Sequence, residues 1–183
     1  GEDNEGRFHI IGDPTEGALM VSATKAGITE ELPRLDEIPF NSENMFMATL
    51  NESEGNNIIY VKGSPEKILG MCHNQLTEHG IEPLHSEEIV EKINEMASEA
   101  LRLLAMSYKT VPRGKNTLGL VDIEELTFLG IQGMIDPPRK EAIEAVNKCK
   151  SAGIRSIMIT SDHALTAKSI ARQLGILNSW EDG

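Results

Sequence analysis

The sequence predicts a mixed α/β fold. An α+β part, with mainly antiparallel strands flanked by helices, is followed by a partial Rossmann-like βαβα segment. Three observations predict this. Two β-rich apolar runs flank the turn-rich stretch NESEGNN (51–57), as the strands of a hairpin do. From residue 126 onward the pattern alternates strand, helix, strand, helix, an order that folds as parallel, right-handed crossovers. Gly153 and Gly175 stand where the helices of that second part end.

Taken in chain order, residues 1–7 (GEDNEGR) are polar and expected to be loose, and Phe8–Ile11 reads as a short strand. In GDPTEGALMVSATKAG (12–27), Asp13 caps a helix, Pro14 takes its first position and Gly27 ends it. Residues 36–69 read as two strands joined at NESEGNN. The second, Ile58–Val61, leads through Lys62 and Gly63 into a helix capped by Ser64 with Pro65 at its first position. CHNQLTEHGIEPLH (72–85) reads as a polar loop. From Glu87, the apolar residues Ile89, Ile93, Met96, Ala97 and Ala100 keep helical spacing. That helix ends near Leu101, because RLLAMSYKTV (102–111) reads equally well as a strand. RGKNTLGLVDIEE (113–125) reads as a linker at a domain junction. Beyond it lie a strand (Leu126–Ile131), a helix (Pro138–Ser151), a strand (Ile154–Thr160) and a helix (His163–Leu174). Two strands are too few for a complete domain of this class, so the second part reads as a piece of one.

The 183 residues suffice for one sizeable domain or two small ones with a real core. Seventeen basic against twenty-nine acidic residues leave a net charge of −12 and a pI near 4.8. That balance disfavours a nucleic-acid surface and is expected of a soluble cytoplasmic module. The two cysteines, Cys72 and Cys149, have neither metal nor redox spacing and fit a reducing compartment. No apolar run approaches the roughly 18–20 residues that cross a bilayer, and no signal peptide opens the chain. If the chain belongs to a membrane machine, its membrane part is expected to lie elsewhere. His73, His79 and His85 follow no metal-ligand spacing and read as plain loop residues. Thr160, Ser161 and Asp162 stand at the C-terminal edge of a strand and the mouth of a helix, where α/β proteins place phosphate chemistry.

Four ordered stretches carry a family resemblance: GDPTEGAL (12–19), PF (39–40) followed by KGSPE (62–66), DPPR (136–139), and MITSDH-x-x-TA-x-x-IA-x-x-LGI (158–176). Together they resemble the P-type cation-transporting ATPases, in their calcium-pump-like branch, over about residues 12–177. The resemblance implies that residues 1–120 form a nucleotide-binding domain lacking its beginning. Residues 121–183 would return into a phosphorylation domain of the haloacid-dehalogenase type. The family's phosphorylated aspartate, in DKTGT, and its acidic Mg²⁺ motif occur nowhere in this sequence. A nucleotide-gripping piece, inactive alone, is therefore expected. ATP would be its ligand, Mg²⁺ would enter only in the complete pump, and the partners would be the actuator domain and transmembrane helices. The piece itself would be monomeric, soluble and on the cytoplasmic side.

Residue by residue, the resemblance implies that Glu16 meets the adenine amino group, although Glu16 is also the capping-box position after Asp13. Phe40 would stack on adenine, against the ordinary reading of an aromatic beside Ile38 and Pro39 as core. Lys62 would enter the adenosine pocket, with Gly63 letting the backbone come close. Arg102 would pair with phosphates; read alone, it is a charge at a helix end. The resemblance implies that Ser42 stands where some calcium pumps carry a phosphate-contacting arginine and Met45 where many carry lysine, which removes two cations from the phosphate rim. Asp136 would lie near the nucleotide, oriented by Arg139, although a helix cap explains DPPR locally. Thr160, Ser161 and Asp162 would hold the γ-phosphate beside the absent aspartyl phosphate. The family reads Thr-Gly-Asp there, and Ser161 adds a side chain where glycine admits phosphate. Two other classes stand beside this reading. One is a haloacid-dehalogenase-type phosphatase using Asp13 as nucleophile, and the other is an interaction domain whose nucleotide site has decayed.

Overall fold

The computed structural model describes residues 13–28, 30–135, 138–160 and 162–177. They form two compact units, 1–32 and 33–183. The first is built on helix α1 (Pro14–Lys25). Asp13 caps it, its Oδ1 accepting from the backbone N–H of Thr15 at 2.7 Å and of Glu16 at 3.3 Å. Pro14 opens the helix and Gly27, at φ 74°, closes it, as its sequence requires. The carboxylate that a phosphatase would use as nucleophile thus serves the helix end.

The second unit is a mixed α/β arrangement around one seven-stranded, mainly antiparallel sheet. Its strands are β1 (Arg34–Ile38), β2 (Phe46–Asn51), β3 (Asn56–Gly63), β4 (Cys72–Thr77), β5 (Gly80–Pro83), β6 (Leu101–Pro112) and β7 (Leu126–Ile135). They lie in the order β1-β2-β3-β6-β7-β4-β5, and only β4 and β7 run parallel. Helices α2 (Pro65–Leu69) and α3 (Ser86–Ser98) pack against it. Burial alternates along β2, β3 and β6, so one face carries the core: Phe46, Leu50, Ile59, Val61 and Ala105, joined by Ile68 of α2. Side chains of the intervening positions stand on the other face.

Several expected boundaries shift. The first predicted strand is two, because Asn41 turns the chain: its Oδ1 accepts from the Asn44 N–H at 2.6 Å and its carbonyl from the Met45 N–H at 2.9 Å. Met45 then takes φ 57°, a left-handed conformation uncommon for a bulky residue. The polar stretch 72–85 is not a loop but the hairpin β4–β5, turning at Gly80 with φ 110°. An edge hairpin needs no apolar alternation, which is why its sequence conceals it. Helix α3 stops at Ser98, and Ala100 at φ 61° swings the chain into β6, a 12-residue strand.

The stretch 113–125, expected to be a linker, is fastened down. Asp36 Oδ2 accepts from the Leu118 N–H at 2.7 Å. The Asn57 amide donates to the carbonyls of Arg113 and Lys115, and Lys115 pairs with Asp122 at 2.8 Å. The Leu118 and Glu37 N–H groups hold the Asp36 carboxyl below its ordinary range, and Lys115 with the Gly119 N–H does the same for Asp122. The sheet continues across this stretch. Leu126–Ile135 does not open a parallel βαβα unit but pairs antiparallel with β6 along eight positions and parallel with β4.

After it come α4 (Lys140–Ser151) and α5 (Ala164–Gln173), close to their expected spans. The predicted strand Ile154–Thr160 is not one. Strands exist by pairing, and among the described residues none pairs with this segment, leaving Ile157 76% and Ile159 93% exposed. No helix among the described residues is long and apolar enough to cross a membrane.

Candidate functional site

Sheet register decides which expected residues meet. Phe46 opposes Gly63, which opposes Ala105, which opposes Ile131. The start of β2, the exit of β3, the start of β6 and the latter part of β7 therefore share one end of the sheet. Lys62 sits there between Met47 and Met106, on the face away from the core. Arg102 lies on the same face of β6, four residues before Met106 and so about 13 Å along the strand. It is a strand residue with an exposed side chain, not a helix-end charge.

Ser42 and Met45 occupy the β1–β2 turn at that end, and Phe40 precedes it by two residues beyond β1. The Phe40 ring is 63% exposed, which rules out the reading of this aromatic as core. Gly63 has a purely steric reason to be glycine. A Cβ there would stand 2.5 Å from the Met45 carbonyl oxygen and 2.7 Å from the Phe46 Cβ. Ser64 fixes the same corner, its N–H donating to that carbonyl at 3.0 Å and its hydroxyl capping α2.

The end of the chain reaches this corner too. Asp162 Oδ1 lies 3.9 Å from Arg102 Nε, and Asp162 Oδ2 accepts from the Thr160 hydroxyl at 2.9 Å. The Asp162 N–H donates back to Thr160 Oγ1 at 3.1 Å, closing a local turn. A cavity of about 490 Å³ opens here, lined by Met45, Ser64, Glu66, Lys67, Asp162 and His163. The His163 side chain, 18% exposed, caps α5 through Nδ1 and places Nε2 3.3 Å from Glu66 Oε1. Neither His163 nor Glu66 was singled out by the sequence, although Glu66 sits inside KGSPE and His163 inside MITSDH.

The structure places Phe40, Ser42, Met45, Lys62 and Gly63 at one sheet end, sets Arg102 beside Asp162 and its Thr160 partner, and lets Met45 and Asp162 line one cavity. Glu16 belongs to the first compact unit. Asp136 and Ser161 lie outside the described residues. Among the described residues no group of three His, Cys, Asp or Glu side chains could hold a metal ion. Chemically, the corner offers a flat apolar ring, two cations on one sheet face and a hydroxyl–carboxylate turn.

A family model described as P-type ATPase, cytoplasmic domain N, matches residues 1–141. The chain belongs to the P-type cation ATPases. It is 48% identical over 174 residues to the cation-transporting ATPase pma1 of Synechocystis sp., covering 91% of this chain and 19% of that protein. It is 42% identical over 178 residues to calcium-transporting ATPase 1 of Lactococcus lactis, at 92% and 20% coverage. With the probable cation-transporting ATPase F of Mycobacterium tuberculosis it shares 38% over 187 residues, at 96% and 20%. This P-type ATPase chain spans about one fifth of the length of these curated relatives.

Proposed function

We propose that this chain binds an adenine nucleotide at the sheet end carrying Phe40, Lys62 and Arg102. The observation that carries the reading is the exposed Phe40 ring. A ring left largely in water beside a cationic sheet end is a stacking platform for a planar base, worth about 1–3 kcal/mol to such a ligand. Lys62 lies toward the adenosine, and Arg102, about 13 Å away along β6, suits the phosphate end. Ser42, Met45, Thr160 and Asp162 complete the surroundings.

In the whole protein the chain presents the γ-phosphate of ATP to an aspartate outside it, as one step of ATP-driven cation transport. The actuator domain and the membrane helices are its partners there, and the chain faces the cytoplasm. The N-terminal part is the nucleotide-binding domain and the C-terminal part belongs to the phosphorylation domain. Pairing of β7 with β6 supports a switch between them after Ile135, at DPPR. The unpaired segment 154–160 then takes its neighbouring strands from the rest of the phosphorylation domain, which would cover Ile157 and Ile159. Phosphoryl transfer needs a nucleophile and Mg²⁺, and the residues described here do not form a metal site. Alone, the chain binds without turnover. Titration with ATP under chelation of Mg²⁺ tests this: affinity should stay within a few-fold. Collapse of binding on chelation, or release of phosphate, would contradict it.

A further inference from the structure

We propose that His163 and Glu66 are a positioning pair that sets Asp162 on Arg102, so that the chain selects against polyphosphate until the pair opens. The inference rests on the nucleotide reading above and adds a specificity device to the same site. His163 Nδ1 accepts the Leu165 N–H at 3.2 Å, which leaves Nε2 facing Glu66 Oε1 at 3.3 Å. One side chain therefore caps α5 and ties it to α2. Two further bonds hold α5 beside Arg102. The Thr166 hydroxyl, 1% exposed, donates to the Leu101 carbonyl at 2.9 Å, and the Ser169 hydroxyl donates to the Ser98 carbonyl at 3.0 Å.

This fastening leaves Asp162 little choice of place, since it immediately precedes His163. Its carboxylate stands 3.9 Å from the Arg102 guanidinium, where an incoming phosphate would seek its own partner. Thr160 occupies the other carboxylate oxygen and keeps the group turned that way. The carboxylate acts as a built-in anion. A nucleotide with phosphates must displace it or share the arginine, whereas adenosine, having no charge, does not meet it. Side-chain exposures of 50% and 33% keep the competition modest.

The test titrates the full chain with adenosine and with ATP, while amide exchange is followed along α5. Glu66→Ala and His163→Asn each open the pair; asparagine keeps the α5 cap but does not reach Glu66. Each should raise the ATP-over-adenosine affinity ratio about two- to fivefold, with adenosine affinity unchanged, and the double variant should gain no more. Amides of α5 should exchange faster in Glu66→Ala. Glu66→Gln keeps the acceptor oxygen and should restore the original ratio, although it removes the same charge as alanine does. Glutamine behaving like alanine would reduce the effect to bulk charge and overturn the pair. An unchanged ratio, or additive effects in the double variant, would overturn it as well. If the unaltered chain binds neither ligand, the nucleotide reading and the discrimination fall together. Amide exchange then decides the positioning alone, and unchanged exchange in Glu66→Ala overturns that too.

Discussion

At the scale of single residues, the sheet end combines one exposed ring with a backbone corner that tolerates no substitution. Phe40→Ala should weaken adenosine and ATP alike, by about 1–2 kcal/mol or roughly tenfold, because stacking does not depend on phosphates. Its high exposure means that the fold should survive, and an unchanged urea melt checks this. Gly63→Ala should do the reverse. The added methyl would meet the Met45 carbonyl oxygen, a backbone atom pinned by the Ser64 N–H, so stability should fall by about 1–3 kcal/mol in the same melt. Met45→Lys installs the cation that the family resemblance implies at this position. Coulomb's law at about 4–6 Å, with an effective dielectric between about 20 and 80, gives a gross attraction to phosphate of about 1–4 kcal/mol. Ordering and screening should leave roughly 1 kcal/mol, about fivefold for ATP and nothing for adenosine, shrinking in high salt. Equal tightening of both ligands would show that position 45 packs against the base.

At the scale of elements, the loop 113–125 is held by hydrogen bonds to charged or buried side chains, and that makes its fastening sensitive to pH. Asp36 and Asp122 both have folded-state values below the ordinary aspartate value of about 4. Their contribution is therefore complete above that value and is lost as pH falls through the depressed folded values. Asp36→Asn should flatten the decline of stability below about pH 4, read from urea midpoints at stepped pH. Legibility in the sequence follows the same physics. Capped helices were readable because Asp13 and Ser64 bond their own neighbours, so the signal is local. The β2–β3 hairpin was readable for a similar reason. The β4–β5 hairpin was not, because an edge ribbon with one buried residue, Cys72, in its first strand carries no alternation. The segment Ile154–Thr160 carries a strand's composition without a strand's partners, and composition says nothing of partners. Among site residues, motifs pointed to Lys62, Gly63 and Asp162, and the family resemblance alone to Arg102. The bridging role of His163 depends on where α2 and α5 meet, which no local pattern encodes.

For the molecule as a whole, one sheet gathers Phe46, Gly63, Ala105 and Ile131 at a single level by register, and the segment leading into α5 adds Asp162 beside Arg102. Strand β6 is central to this. It pairs with β3 and β7 and carries Arg102 on the face that holds Lys62. Kinship with P-type cation ATPases gives the sheet end its proposed ligand, and the exposed Phe40 ring gives that proposal a physical basis in this chain. The most direct test of the central claim is nuclear magnetic resonance of the chain titrated with adenosine under chelation of Mg²⁺. Resonances of Phe40 and of the Lys62 backbone should shift together in a saturable way, while those of the β4–β5 hairpin stay still. Saturable binding that leaves Phe40 and Lys62 unmoved, or no binding at millimolar adenosine, would contradict it.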